Sequence, residues 1–452
     1  MSAITSPPLR PPPPEPPELV AKVTRRLVPF LILLYLVAFL DRVNVGFAAL
    51  SMNQDLGITP YLYGWGAGIF FLGYFLFEVP SNLALEKFGA RVWIARIMIT
   101  WGVISAAMAF ARGPASFLVL RFLLGLSEAG FFPGIVLYLT YWYPARERAR
   151  VMAMFYLGMP LANVIGAPVS GLLLNLHGLG GLHGWQWLFI LEGLPAVLLA
   201  FVALRYLPDG PQKAAWLSPE ERTTLSELIR ADKALSERAC GHMSLRDAFS
   251  HPRVLLLALM FFLLVMGLYG LGFWLPQIIK RLGVSNTVVG FLAAVPYLVA
   301  APLQVLWCRH SDASGERRWH FALPCCLMAG GLVMSALSPS PYVSFFGLIC
   351  SGVGVMCAQP VFWTMPSAIL TGTAAAGGIA LVNSIGNLGG FVGPYVVGWV
   401  AGATGNPALG LLALSVAVLI AAGLALSRRP EEVGERRRQA LATMAVATPE
   451  NP

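Results

Sequence analysis

Apolar runs of about twenty residues, separated by short polar stretches, recur along the whole chain. A helix crossing about 30 Å of hydrocarbon needs roughly that length. Twelve such runs are legible, at 27–49, 64–85, 91–111, 115–142, 151–175, 185–207, 254–276, 288–308, 319–338, 341–365, 373–401 and 407–427. The eleventh is long enough to be tilted or broken. None alternates apolar and polar positions over about ten residues, so a transmembrane β-barrel is excluded. The expected fold class is all-α integral membrane with twelve transmembrane helices, numbered here as spans 1 to 12.

Composition agrees: of 452 residues, 57% are hydrophobic and 12% charged, with a mean hydropathy of +0.69. A soluble domain carries about 25% charged residues. The net charge of +9 does not point to nucleic acid, because the bases follow topology. Apart from Arg42 and Arg121 deep inside spans, only Arg112, Lys280 and Arg281 fall on the side opposite the termini. By the positive-inside bias both termini are expected in the cytoplasm. The start lacks the charged and apolar regions of a signal peptide, and 1–26 reads as a disordered Pro-rich cytoplasmic tail. Residues 428–452 read as a second cytoplasmic tail. The six Cys form no CxxC pair and are expected to be structural thiols, with neither disulfide nor metal site.

Residues 208–253 are hydrophilic, with seven basic and seven acidic residues, and Ser218-Pro219-Glu220-Glu221 reads as a helix start. This stretch is expected to be a cytoplasmic linker between six-helix bundles at 27–207 and 254–427. An internal repeat supports the division. Glu86, Gly89 and Arg91 recur 226 residues later as Asp312, Gly315 and Arg317, and Pro168 recurs as Pro394 at the same offset.

The segment after span 2, repeated after span 8, resembles the loop signature of the major facilitator superfamily, which implies two pseudo-symmetric six-helix bundles. That resemblance implies a gating role for Glu86, Arg91, Asp312 and Arg317, a latch in which the acid caps a neighbouring helix and the Arg bonds across it. The sequence departs from the signature at Asn82, Cys308 and Ala313, so the second copy is expected to latch more weakly. A narrower resemblance rests on Asp41-Arg42-Val43-Asn44, Glu78-Val79-Pro80-Ser81-Asn82, the stretch from Arg121 to Gly134, Trp185 to Gly193, Phe273 to Gln277 and Gly377 to Gly390. Together these are similar to the anion:cation symporter family, which includes bacterial tartrate, phthalate, hydroxyphenylacetate and sugar-acid permeases. The likeness runs from span 1 to span 12, and it implies protonation of Asp41 and Glu128.

Intramembrane charge is costly, at least about 2.5 to 3.5 kcal/mol per unpaired ion on insertion scales, and so marks where chemistry is to be sought. Counting 1.5 Å per helical residue puts Arg42 and Arg121 at nearly one depth. Two guanidiniums at one level suit a carboxylate, which each fork of donors matches in bidentate fashion; the alternative is that they neutralise Asp41 and Glu128. A carboxylate beside Arg stays ionised until that partner is drawn away, after which burial favours its protonated form. Asp41 and Glu128 are therefore the expected proton carriers, with a fixed counter-ion role for Asp41 as the alternative. Glu78 is placed near the cytoplasmic end of span 2 as a cap or a bridge to the basic loop, and Glu192 near the outer end of span 6. Structural or gating roles are expected for both.

Adding 226 to Asp41, Arg42, Arg121 and Glu128 lands on Gly267, Leu268, Gly347 and Gly354. The second half is thus expected to offer neutral contacts: Tyr269, Trp274, Gln359, Trp363, Asn383 and Asn387, with Tyr74 added from the first half. Helix packing is the competing role for these side chains. No Walker-type GxxxxGK[ST] and no HExxH occur, so no catalytic residue, cofactor or metal is expected and the chain is not read as an enzyme. The expected function is proton-coupled import of a small organic carboxylate, tartrate-like or hydroxy-aromatic, by a monomer in a bacterial inner membrane. Its partners are substrate, protons and the lipid bilayer, with no nucleic acid. An organic-anion exchanger, an exporter and a non-transporting anion sensor stand as alternatives.

Overall fold

The structure is a computed structural model that describes residues 17–239, 251–369 and 373–427. Cys240 and most of both tails lie outside them. Eleven helices among the described residues are long and apolar enough to cross a membrane. They are spans 1 (Pro17–Asp55), 2 (Pro60–Phe88), 3 (Ala90–Phe110), 4 (Pro114–Thr140), 5 (Arg150–Leu176), 6 (Gly184–Tyr206), 7 (Pro252–Lys280), 8 (Asn286–Ser314), 9 (Arg318–Leu337), 10 (Pro341–Pro366) and 12 (Pro407–Leu426). Span 11 is divided at Leu388 into Thr373–Asn387 and Gly389–Thr404.

Local chemistry fixes where the spans begin. Pro60, Pro114, Pro252 and Pro407 open their helices, where a missing N–H costs nothing and the fixed φ suits a first turn. Thr59 Oγ1 accepts from Leu62 N at 3.2 Å and Asn406 Oδ1 from Ala408 N at 3.1 Å, each satisfying a donor that a helix start leaves free.

One boundary differs from expectation. Span 1 begins at Pro17, so 17–26 continue the helix and do not belong to a disordered tail. The reason is tertiary: Leu19 and Val23 are buried, and Lys22 Nζ donates to Glu221 Oε2 at 2.7 Å. Glu221 lies on the linker helix Pro219–Ala239, whose start is a reciprocal capping box: Glu221 N donates to Ser218 Oγ at 3.2 Å, and Ser218 N to Glu221 Oε2 at 2.8 Å. Trp216 stacks on Trp142 with ring centroids 5.7 Å apart, and Arg148 on the first half pairs with Asp232 at 3.0 Å. The linker is docked on the first six spans.

Spans 1–6 meet spans 7–12 most closely on the face opposite the termini. A Cβ on Gly171 of span 5 would lie 2.8 Å from Asn286 O and 2.9 Å from Gly290 Cα of span 8. Spans 2 and 11 meet equally closely, where a Cβ on Gly64 would lie 2.7 Å from Pro394 O. Only glycine permits backbones to approach this far, and such contacts are a main source of helix association in lipid. An aromatic plug backs this seal. Tyr63 OH donates to Phe273 O at 2.8 Å, Trp274 Nε1 to Pro394 O at 3.2 Å, and the Phe71 and Tyr269 rings lie 4.4 Å apart.

Candidate functional site

Beneath the plug, on its side toward the termini, four of the expected charged residues are buried: Arg42 and Glu128 pair, whereas Asp41 and Arg121 each have partners of their own. Glu128 ends the first half of span 4. The chain breaks there because Gly130 takes φ +86, and a Cβ on it would fall 2.2 Å from Ser81 Oγ of span 2. The break turns the Glu128 carboxylate toward span 1. Arg42 donates to Glu128 Oε1 through Nε at 3.1 Å and also through Nη2, while its Nη1 donates to Tyr269 OH on span 7 at 3.0 Å. Arg42 is thus paired with Glu128 and reaches across to the second half. The other Glu128 oxygen, Oε2, is buried without a protein partner.

Asp41 does not pair with Arg42, although they are neighbours in sequence. Successive helical residues point about 100° apart, and Asp41 faces inward to the first half. There Trp101 Nε1 donates to Oδ2 at 2.9 Å, while Ser105 Oγ and Asn44 Nδ2 donate to Oδ1 at 2.8 and 3.3 Å. The counter-ion alternative for Asp41 is not what the geometry holds.

Arg121 is fully buried, and its partners are carbonyls: Nε donates to Gly66 O at 3.0 Å and Nη2 to Ala67 O at 3.2 Å. Nη1 has no protein partner. The two guanidiniums flank one ring, Arg42 at 5.3 Å and Arg121 at 5.2 Å from the Phe70 centroid. Arg121 also lies 5.8 Å from the Phe273 centroid, and Arg42 lies 5.4 Å from Tyr74. The aromatic faces lower the cost of burying both cations, but neutralise neither.

Glu78 corrects an expectation. Far from capping a helix end or reaching the basic loop, it is buried and spans the two halves, accepting from Asn383 Nδ2 at 2.8 Å and from Ser384 Oγ at 3.1 Å. Asn383, an expected substrate contact, is thereby engaged by Glu78. Asn387, one turn on, is half-buried. Trp363 packs against Phe261 at 4.7 Å, and its Nε1 is buried without a protein partner. Trp274, an expected neutral contact, belongs to the plug.

The loop pair also departs from expectation. Asp312 and Arg317 join at 2.6 Å, with Arg317 Nη1 on Ser311 Oγ at 2.7 Å. Glu86 and Arg91 are both exposed, and the acid that meets the start of span 3 is Asp209, whose Oδ1 accepts from Arg91 N at 3.1 Å. The second copy, expected to be the weaker latch, is the one with the formed acid–Arg pair. Span 3 begins right after Gly89, so Glu86 stays on the helix before the turn, while Asp209 arrives from beyond span 6. Sequence reading passed over Phe70, Ser384 and Asp209. Phe70 is an apolar residue in an apolar run and carries no signal, whereas Asp209, an acid just past a span end, could have been flagged as a cap.

The sequence model of the Major Facilitator Superfamily matches residues 31–376 and 257–449. A protein of Agrobacterium vitis named "Putative tartrate transporter" is 53% identical over 409 residues, covering 90% of this chain and 91% of that one. A quinolone resistance transporter of Acinetobacter baumannii is 46% identical over 403 residues, covering 89% and 93%. Among solved structures, a bacterial homologue of the human lysosomal transporter Spinster superposes with a TM-score of 0.72 at 19% identity, covering 88% of this chain and 95% of that one.

Proposed function

The chain belongs to the Major Facilitator Superfamily, and from that premise we propose that it is a secondary transporter that imports a small organic carboxylate together with protons. One observation carries the anion: Arg121 is fully buried, touches no carboxylate, and keeps the donor at Nη1 free. A buried charge without a partner is costly, and a carboxylate is the ligand whose geometry fits a guanidinium fork. Arg42, on the other side of Phe70, is the second anchor.

The same arrangement supplies the coupling. An incoming carboxylate competes with Glu128 for Arg42. When Arg42 turns to the substrate, Glu128 is left buried without a counter-ion and takes up a proton, so anion and proton are carried together. Asp41 is the second proton carrier. Tyr74, Trp363, Asn383 and Asn387 read the neutral part of the substrate, the last two in the segment of span 11 that ends at its break, where a transporter bends. The Agrobacterium relative's name favours a tartrate-like substrate. The membrane is a bacterial inner membrane, with both termini in the cytoplasm.

The test is uptake of labelled tartrate, phthalate, hydroxyphenylacetate and galactonate into proteoliposomes under an inward proton gradient. Expected is gradient-driven accumulation of at least one, lost in Arg121→Ala, while Glu128→Gln keeps exchange of the bound anion but no longer concentrates it. Accumulation indifferent to the gradient overturns the coupling. A second reading, outward transport, is favoured by the similarity to a quinolone resistance transporter; efflux of a preloaded quinolone would select it.

A further inference from the structure

Behind span 1, inside the first half, two carboxylates are buried and bonded to none of the arginines described above. Asp41 is fully buried and Glu192 of span 6 is 3% exposed. Their surroundings are unequal. Asp41 receives three hydrogen bonds, from Trp101, Ser105 and Asn44. Glu192 receives one from a described side chain, Ser170 Oγ to Oε1 at 2.6 Å. Asn44 is near both: its Nδ2 donates to Asp41 Oδ1 at 3.3 Å, and its side chain also comes within reach of Glu192. Two oxygens here, Asn44 Oδ1 and Glu192 Oε2, are buried acceptors without a protein donor.

The repeat gives independent support for the proximity. The residues 226 positions after Asp41 and Glu192 are Gly267 and Val418, and a Cβ on Gly267 would lie 2.8 Å from Val418 Cγ2. Where the second half has an apolar contact, the first half has two carboxyl groups.

We infer that Glu192 is a permanently protonated carboxylic acid that holds Asp41 in place as the group free to ionise. Two neighbouring carboxylates with no neutralising cation cannot both be charged in a low-dielectric interior. The negative charge belongs on the group with three donors and the proton on the group with one, where it adds the donor that this acceptor-rich pocket lacks. Beyond the pair itself, the charge that faces Asp41 is that of Glu128, itself held by Arg42. Glu192 is a positioning residue and adds no proton to the transport count; that last consequence rests on the proton-coupled reading.

Infrared difference spectroscopy of the full-length protein tests the inference without reference to transport. At neutral pH the parent is expected to show a protonated-carboxyl band that Glu192→Gln removes and that Ser170→Ala shifts without removing. Absence of such a band overturns the inference, and the Ser170 variant decides the matter should the Gln variant not fold. In proteoliposomes Glu192→Gln, neutral and still a donor, is expected to keep the parent's pH profile and uptake within about twofold. Loss of gradient response with exchange intact would make Glu192 a carrier that ionises, against the inference. No gradient response in the parent itself would instead remove the symport reading and leave the spectroscopic result standing.

Discussion

The two halves of the molecule share a repeat and differ in what fills it. In spans 1–6, Asp41, Arg42, Arg121 and Glu128 are buried and held by hydrogen bonds to named partners. At the matching places of spans 7–12 stand Gly267, Leu268, Gly347 and Gly354. The glycines are packing contacts: a Cβ on Gly347 would lie 2.5 Å from Gly331 O, and one on Gly354 2.5 Å from Pro324 O. One half has given helix-to-helix contact over to ion chemistry, and the other has kept it. A transporter that rocks one bundle against the other around a central site can place all its charge on one bundle, because the site is completed across the interface. Tyr269 on Arg42 and Asn383 on Glu78 are the second half's replies.

The sharpest way to break this comparison is to write the first half's chemistry into the second. Gly354→Glu, which copies Glu128 across the repeat, is expected to yield no folded protein in detergent by size-exclusion chromatography. Gly354→Ala, which adds only the clashing methyl, is expected to cost about 1 to 3 kcal/mol in unfolding. A stable Gly354→Glu protein would show the halves to be interchangeable at this position.

A smaller effect is expected at the tie between the halves. Glu78→Ala removes both hydrogen bonds to span 11, and a typical intramolecular hydrogen bond contributes about 0.5 to 1.5 kcal/mol. Spin labels on the ends of spans 2 and 11 nearest the termini should report a wider or broader distance distribution in the variant. An unchanged distribution would mean that the glycine contacts opposite the termini alone hold the halves together.

The smallest effect concerns the linker, which rides on the charged half. The Lys22 ammonium holds the Glu221 carboxyl below the usual carboxylate range. A carboxyl lowered on folding adds stability above its unfolded value, about 4.3, and loses it as the pH falls through the folded value. Lys22→Met should therefore melt slightly below the parent at pH 7, and the gap should close in acid. A gap that persists at pH 3 would assign the contact to packing of the Lys22 stem.

How much of this was legible in the chain follows from the range of each interaction. Span count, the start of the linker helix and the burial of charge in the first half are written in local runs and single residues, because length against bilayer thickness and the cost of intramembrane charge depend on nothing farther away. The near-equal depth expected of Arg42 and Arg121 came from rise per residue alone, whereas their side chains lie on opposite sides of Phe70, Arg121 on Gly66 O and Ala67 O and Arg42 on Glu128. Partnership was not legible. That Arg42 chooses Glu128 and not its neighbour Asp41, that Glu78 crosses to Asn383, and that Asp209 and not Glu86 meets span 3 all depend on which helix faces lie opposite each other. Those choices are fixed by long-range packing, by the break at Gly130 and by glycine contacts between spans far apart in sequence. Hydrophobic length wrote the spans into the sequence; the pairing of buried charge, which needs two helices and an angle between them, was decided only by the tertiary structure.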